Sequence, residues 1–423
     1  MPISRRIFLR DSAIAMVGVG TAPLWLERTA LADNTTAGST GQRKKVLVAI
    51  FQRGAADGLN IVIPHGEQRY YDLRPTISVP RPVAGLTKED SVIDLDGMFG
   101  LHPSLAPLKP LWDKRQLAIV HAAGSPDPTR SHFDAQDYME SGTPGLKATA
   151  DGWLNRSLPP VDDKPSPVRA VSLGATLPRS MRGVNDAVAV ENLNSFNVRD
   201  AAAAKSLEAM YAGTGDQVLN GTGRATFEAV ALLQSLQKTP YQPAAGAQYP
   251  AGRFGDSLRQ IAQMIKADVG VEVAFADLGG WDHHVQEVGP KASVGQLASR
   301  LTEFGGSLAA FYQDLGDRME DVVVITMSEF GRTARENGNR GTDHGHANAM
   351  FLMGGPVQGG KVYGKWPGLA PEQLNEERDL ALTTDFRDVL GEAVYAHLGN
   401  RSINSVFPNY SASPAKFRGF LKA

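Results

Sequence analysis

Six short runs of apolar, mostly β-branched residues recur along the chain and are typical of strands that are buried on both faces of a sheet. They lie at residues 45–51, 116–120, 168–173, 271–276, 321–326 and 349–353. Segments in which apolar residues recur every three to four positions predict helices at 201–211, 225–238, 254–266, 294–320 and 385–398. Strands that alternate with helices predict an α/β fold, a doubly wound and mostly parallel sheet with helices on both faces.

The first 32 residues predict an export signal. The pair Arg5-Arg6 is followed by Phe8-Leu9, an apolar run at 13–26 and small residues up to Ala32. This order is typical of a twin-arginine signal that is cleaved near Ala32, and it predicts a periplasmic or otherwise exported protein. An N-terminal membrane anchor is the less favoured alternative, because the run contains two glycines and a proline and is shorter than the ~20 apolar residues of a span. We therefore expect no stable membrane insertion of the mature chain.

The rest of the chain is predicted to form one large domain. Residues 33–45 are polar and rich in Thr, Gly and Ser, which predicts a flexible tether. Residues 46–423 then form a single α/β domain, with a helical insertion at about 192–253 where a Gly/Thr stretch, a helix and a Pro-rich stretch follow one another. No glycine-rich nucleotide-binding motif follows the first strand run, so dinucleotide and P-loop functions lack support.

Composition narrows the possible chemistry. The 423 residues include no cysteine, so disulfides, thiolate ligands and cysteine nucleophiles are excluded and any chemistry rests on histidines, carboxylates and hydroxyls. The 43 basic and 45 acidic side chains give a net charge of −2. This balance excludes a nucleic-acid partner that is bound through bulk positive charge.

Residues that follow the strand runs are the candidate site, because open parallel sheets bind ligands at the carboxyl ends of their strands. Asp57 follows the first run, either as a metal ligand or as an ordinary Asp-Gly turn. Ser131 follows the second run and precedes a predicted helix at 132–140. Its hydroxyl is either the helix N-cap or a nucleophile for a phosphate or sulfate ester. Arg130 is then a candidate contact for the ester's negative charge.

Two later loops add further candidates. Asp282 and His284 are two residues apart after the fourth run, so both can point to one side of an extended segment as metal ligands. A polar loop with hydrogen-bonded histidines is the alternative. Glu329 and Arg332 follow the fifth run and supply a carboxylate and a second candidate cation.

The densest cluster of ligand-type residues is Asp343, His344 and His346 around Gly345, which predicts a metal or catalytic site. Nitrogen and oxygen donors without sulfur favour one or two ions of Zn²⁺ or Mn²⁺ over Ca²⁺ or Mg²⁺. Six of the nine histidines lie in these loops or at a strand end: His121, His132, His283, His284, His344 and His346.

Five motifs, FQRGAADG, RSHFDAQ, LGGWDHH, SEFGRT and GTDHGHA, occur in this order after the twin-arginine signal. Together they resemble, over nearly the whole chain, the exported family labelled domain of unknown function 1501. That family is similar in turn to the alkaline phosphatase and sulfatase superfamily, whose doubly wound sheet carries a two-metal site at its strand ends. The resemblance implies a nucleophile at Ser131 and these metal ligands: Asp57, Asp282, His284, Asp343, His344 and His346.

The chain departs from the superfamily after the central strand, where Glu329 stands in place of the usual Asp. Either Glu329 substitutes for that ligand, or Asp343 and His344 have taken over its role from a longer loop, with the loss of one metal ion as a possible consequence.

Two functions are consistent with these patterns. The first is an exported metal-dependent hydrolase of small anionic phosphate or sulfate esters, with attack by Ser131 or a metal-bound water and charge stabilisation by Arg130 or Arg332. The second is a catalytically degenerate exported binding or assembly protein that keeps the fold and works with a second exported protein. Either protein would have the twin-arginine export machinery as its transport partner.

Overall fold

The computed structural model describes residues 43–82, 90–147, 149–161, 165–193, 209–211, 217–238 and 240–422. The predicted export signal at 1–32, most of the tether at 33–45 and most of the helix at 201–211 lie outside these residues. In the described residues, no helix combines the length and the apolar character that a membrane crossing requires.

The strands of the described residues, numbered in chain order, are β1 (Val46–Gln52), β2 (Val62–Ile63), β3 (Ile93–Asp94), β4 (Gly100–Leu101), β5 (Leu117–Gly124), β6 (Ala170–Leu173), β7 (Val188–Val190), β8 (Val273–Leu278), β9 (Val322–Ser328), β10 (Asn348–Gly354), β11 (Val362–Tyr363) and β12 (Thr384–Asp385). The central sheet has nine strands in the order β11-β5-β10-β9-β1-β8-β6-β7, with β12 also paired to β5. A small second sheet has the order β2-β4-β3. Each of the six predicted strand runs forms a strand of the central sheet, which confirms the α/β prediction.

One strand of the central sheet departs from the parallel arrangement. Strand β10 is antiparallel to both β5 and β9, whereas the pairs β9-β1, β1-β8, β8-β6 and β6-β7 are parallel. The loop at 329–347 between β9 and β10 contains no helix. Because a parallel neighbour needs a long crossover connection, a chain that returns directly from β9 pairs antiparallel. The sheet is thus mostly parallel, as predicted.

The α-helices are α1 (Gly58–Ile61), α2 (Gln68–Leu73), α3 (Lys109–Asp113), α4 (His132–Ser141), α5 (Trp153–Arg156), α6 (Gln217–Ser235), α7 (Arg253–Lys266), α8 (Gln296–Leu315), α9 (Phe386–Glu392) and α10 (Ile403–Val406). The helix predicted at 294–320 ends earlier, because Gly316 has a φ of 51° and the chain continues as a 3₁₀ helix. The helix predicted at 385–398 continues beyond α9 as a π-helix, Ala393–His397.

Both faces of the sheet are covered. Along β1, Val46, Val48 and Ile50 belong to one buried apolar cluster, which includes residues of α7 and α8. The alternating residues Leu47, Ala49 and Phe51 belong to a second cluster, which includes residues of α5, α9 and α10. Since successive side chains of a strand point to opposite faces, the continuous apolar run of β1 follows from burial on both sides.

The described part of the predicted insertion packs on the helical layer. Asp314 of α8 is buried and accepts hydrogen bonds from the Tyr241 and Tyr249 hydroxyls, the Ala244 amide and Lys266. These contacts attach the segment after α6 to α7 and α8. The boundaries of the insertion stay a prediction.

Candidate functional site

Four side chains meet beyond the carboxyl ends of the central strands and form what we call the His/Asp cluster: His132, Asp282, His284 and His344. His132 is the first residue of α4, which follows β5. Asp282 and His284 lie in the loop after β8, and His344 lies in the loop between β9 and β10. Residues more than 200 positions apart in sequence therefore converge at the edge of the sheet where ligands were expected.

Three ligand atoms of the cluster lie close to one another. His132 Nε2 is 3.0 Å from His344 Nε2 and 3.5 Å from Asp282 Oδ1, and His344 Nε2 is 3.3 Å from Asp282 Oδ1. Ligands at the 2.0–2.1 Å bond length of zinc in a tetrahedral site lie about 3.3 Å apart. The three atoms thus have the spacing of donors around one metal ion, and they form the single such group in the described residues.

His284 extends this group along one edge. Its Nε2 atom is 3.0 Å from Asp282 Oδ1 and 3.0 Å from His344 Nε2. The side chains of His284 and Asp282 are 38% and 45% exposed, so the cluster is open to solvent and to a small substrate.

Each histidine of the cluster makes a hydrogen bond through the ring nitrogen that faces away from it. The Nδ1 atoms of His132, His284 and His344 lie 2.8 Å from Glu329 Oε1, 3.0 Å from Asp343 Oδ1 and 2.9 Å from the Arg130 carbonyl oxygen, respectively. These oxygens can only accept, so each Nδ1 carries a proton, and in the neutral ring the lone pair of Nε2 points into the cluster. Outer partners of this kind orient metal-binding histidines in proteins.

Glu329 is a fully buried carboxylate. Its Oε1 atom accepts hydrogen bonds from the Gly54 amide, from Gln136 and from His132, each at 2.8 Å. Burial alone would raise the pKa of Glu329, but these hydrogen bonds lower it below its usual range. The hydrogen bond that His132 donates to Glu329 in turn raises the pKa of His132 against the effect of burial. The ionised Glu329 therefore holds His132 from outside the cluster.

Arg332 forms an ion pair with Asp282. Its guanidinium is completely buried and donates to Asp282 Oδ1 at 2.6 Å. Burial alone would raise the pKa of Asp282, but the hydrogen bond and the charge of Arg332 lower it to about 2. Asp282 is therefore ionised at any physiological pH.

The structure does not bring Asp57 into the cluster. Both of its oxygens accept from Arg74, at 2.5 and 3.0 Å, and the pair is buried. Burial raises the pKa of the neighbouring Glu287 well above its usual value, and the negative charge of Asp57 adds to this effect. The position after the first strand thus holds an internal ion pair.

Four other predicted site residues lie around the cluster and do not belong to it: Ser131, Arg130, Asp343 and His346. The Ser131 side chain caps α4, where it accepts from the Asp134 amide at 3.5 Å. Arg130 forms ion pairs with Glu376 and Asp379. Asp343 accepts a hydrogen bond from His284. Burial lowers the pKa of His346, which has Asp379, Arg130 and Glu376 among its charged neighbours.

His132 was absent from the ligand set that the sequence predicted. The signal for it was present, since His132 lies in the RSHFDAQ motif, in the segment that follows the second strand run, and Gln136 follows one helical turn later. Both side chains bond to Glu329. Sequence spacing could not reveal this contact, because 193 and 197 positions separate Glu329 from these two residues.

Two glycines permit the close approach of the loops that carry the cluster. Gly54 has a φ of 115°, and a Cβ atom there would lie 2.8 Å from the Asp282 amide nitrogen. A Cβ atom on Gly345 would lie 2.3 Å from the carbonyl carbon of Arg332. The backbone of these loops can therefore pack only if both positions lack a side chain.

A comparison of the whole chain with solved structures found partial similarity at low sequence identity. The C-terminal periplasmic domain of EcEptC from Escherichia coli, in complex with Zn, is 8% identical with a TM-score of 0.33, over 75% of this chain and 74% of that chain. The PsFucS1 sulfatase from Pseudoalteromonas sp. is 12% identical with a TM-score of 0.35, over 81% of this chain and 68% of that chain. Both TM-scores are below 0.5, so the fold class rests on the strand order itself.

A comparison with curated protein sequences found no match. A family model does match: the one described as "Protein of unknown function (DUF1501)" covers residues 44–401. This range includes every strand of the central sheet and the whole His/Asp cluster. The chain therefore belongs to the DUF1501 family.

Proposed function

We propose that this protein is an exported hydrolase of phosphate or sulfate esters that works with a divalent metal ion held by the His/Asp cluster. One observation carries this proposal: the Nε2 atoms of His132 and His344 and the Oδ1 atom of Asp282 converge at 3.0–3.5 Å while each ring donates outward through Nδ1. Lone pairs that point at one another at this distance repel unless a proton or a metal ion lies between them, and a metal ion can be shared by all three atoms.

The donor set fits a metal ion of intermediate hardness. Imidazole nitrogens with one carboxylate oxygen favour Zn²⁺ or Mn²⁺ over Ca²⁺ or Mg²⁺. When bound, such an ion polarises an ester oxygen and activates a nucleophile at neutral pH. His132, Asp282 and His344 would hold the ion, with His284 on the adjoining edge.

The surrounding residues have separate tasks in this proposal. Glu329 and Asp343 keep the rings of His132 and His284 in the tautomer whose Nε2 is free. Arg130 is one-third exposed and is our candidate contact for the substrate's negative charge. The nucleophile is either the Ser131 hydroxyl, which lies beside His132 at the start of α4, or a water molecule.

Metal binding and turnover test the proposal together. Purified protein is stripped with a chelator, reloaded with Zn²⁺, Mn²⁺, Mg²⁺ or Ca²⁺ and assayed on aryl phosphates, phosphodiesters and aryl sulfates. We expect Zn²⁺ or Mn²⁺ to restore hydrolysis, and His132→Ala and His344→Ala to lose about 100-fold or more in kcat/KM. His65→Ala is the matched control, since His65 pairs with Asp94 outside the cluster.

Two outcomes would contradict the proposed function. Metal that binds equally well to His132→Ala and His344→Ala would show that the ion lies elsewhere. A loaded protein that turns over no ester, and that instead retains a second exported protein, would favour a binding or assembly role.

Export through the twin-arginine pathway is a further part of the proposal, and it rests on Arg5-Arg6 and the apolar run that follows. Arg5→Lys with Arg6→Lys should leave the uncleaved protein in the cytoplasmic fraction. Cleaved protein in the periplasmic fraction of that double variant would contradict this route.

A further inference from the structure

Arg332 occupies an oxygen-lined position between the strand ends. Its Nε atom donates to the Ala55 carbonyl at 2.6 Å, and Nη1 donates to the Thr342 carbonyl at 3.1 Å. Its Nη2 atom donates to the Gly54 and Trp281 carbonyls at 2.6 and 3.1 Å and to Asp282 Oδ1 at 2.6 Å. Four carbonyls and one carboxylate therefore surround a single buried positive charge.

Every nitrogen of this guanidinium is engaged with the protein, and the side chain has no exposed surface. An arginine held in this way cannot turn toward a substrate without breaking several buried hydrogen bonds. This placement differs from the substrate contact that the sequence suggested for Arg332. Its charge is directed at Asp282, and it also helps to lower the pKa of Asp57.

The other predicted ligands form no second group of converging ligand atoms in the described residues. Asp57 is paired with Arg74 through both oxygens. Asp343 accepts from His284 and from Asn337 through Oδ1. His346 does not belong to the group of ligand atoms that converge in the described residues. One ion position therefore remains, at the His/Asp cluster, where Asp282 Oδ1 also accepts a hydrogen bond from Arg332.

We propose that Arg332 is a built-in cation that takes the place of a second divalent ion, so that the site binds one metal ion per chain. The inference rests on the proposed metal site but not on turnover. The guanidinium places a permanent positive charge 2.6 Å from Asp282 Oδ1, and its N–H groups donate to the surrounding carbonyls of Gly54, Ala55, Trp281 and Thr342.

The stoichiometry of metal binding tests this proposal without an activity assay. Chelator-stripped protein is titrated with Zn²⁺ by calorimetry, and the loaded protein is weighed by native mass spectrometry. We expect one ion per chain. Two ions per chain would overturn the proposal while leaving the hydrolase proposal intact, and no bound ion would overturn both. One ion without ester turnover would support the proposal and contradict the hydrolase.

A variant that removes the charge of Arg332 provides a second test, in which the expected result is a gain of ion binding. In Arg332→Gln, the oxygen atoms that faced the guanidinium lose their cation, and oxygen sites of this kind suit Ca²⁺. We expect the Zn²⁺-loaded variant to bind one additional Ca²⁺ per chain, whereas wild type, Arg332→Lys and the exposed Arg335→Gln control bind none. A folded Arg332→Gln that takes up no extra ion would overturn the proposal. If Arg332→Gln does not fold, the number of metal ions that wild type and Arg332→Lys bind per chain still tests the proposal.

Discussion

The imidazole rings of His132 and His344 face each other in the His/Asp cluster. Their Nε2 atoms lie 3.0 Å apart, and the Nδ1 atom of each ring faces an oxygen that can only accept. The ring of Phe330 packs against both imidazoles, with ring centroids 5.0 and 5.1 Å apart. The surrounding protein thus holds the two Nε2 atoms close together, as the proposed metal site requires.

Replacing Glu329 with Gln should weaken metal binding. The neutral amide is a poorer acceptor for the Nδ1 proton of His132, so the ring loses both its orientation and part of its basicity. We expect the Kd for Zn²⁺ to rise by about 10–100-fold, measured by competition with a chromophoric chelator.

Glu336→Gln is the matched control for this variant. Glu336 lies in the same loop, but its carboxylate bonds to Thr76 and Ile77. Its replacement should leave the Kd unchanged. Equal Kd values for Glu329→Gln and wild type would contradict the role assigned to Glu329.

At the scale of elements, two connections position the site. Helix α4 begins at His132, and Gln136 one turn later bonds to the same oxygen of Glu329. The loop after β1 is attached by Asp57 to Arg74, which follows α2 and also donates to the carbonyls of Thr333 and Ala334. Arg74 thus joins the β1 loop to the β9–β10 loop that carries His344.

Arg74→Met should destabilise the fold strongly, because it removes the arginine that pairs with both oxygens of the buried Asp57. We expect the free energy of unfolding to fall by about 3–5 kcal/mol in a urea titration. Adding Asp57→Asn to this variant should recover part of the loss, since no uncompensated charge then remains. A loss of less than about 1 kcal/mol in Arg74→Met would contradict the importance of this pair.

Asp57→Asn alone separates a structural role from a ligand role. Because both oxygens of Asp57 face Arg74, this variant should lose stability and keep the wild-type number of bound Zn²⁺ ions. A loss of one ion per chain would return Asp57 to the ligand set.

At the scale of the whole molecule, several histidines serve the core rather than the site. His121 in β5 contacts the Val62 carbonyl through Nε2, and His397 of the π-helix contacts the Val46 carbonyl. Burial lowers the pKa of each to about 4. Both are therefore neutral in the folded protein between about pH 4 and pH 6.5, where a free histidine becomes charged.

These two histidines predict a loss of stability in acid. Above pH 6.5 neither state binds the proton; below it the unfolded chain does, while the folded protein does not until about pH 4. The free energy of unfolding should therefore decline between these values, by about 3 kcal/mol at most for each histidine.

His397→Gln isolates one of these contributions, because the amide still donates to a carbonyl but does not titrate. Urea titrations at pH 7.5 and 4.5 in the presence of a chelator should show a smaller decline for this variant than for wild type. The same decline in both proteins would contradict the assignment.

The sequence by itself determined the central strands, their burial on both faces and the loops in which a site would form, because apolar runs and ligand-rich loops are local patterns. Asp282, His284 and His344 were identified from such loops. The place of His132 in the cluster and the burial of Arg332 beside Asp282 depend on contacts between distant segments. Likewise, Asp57 resembles a ligand until Arg74 is seen against both of its oxygens. Only the tertiary structure decides which charges meet, because pairing depends on distances across the fold that spacing along the chain does not encode.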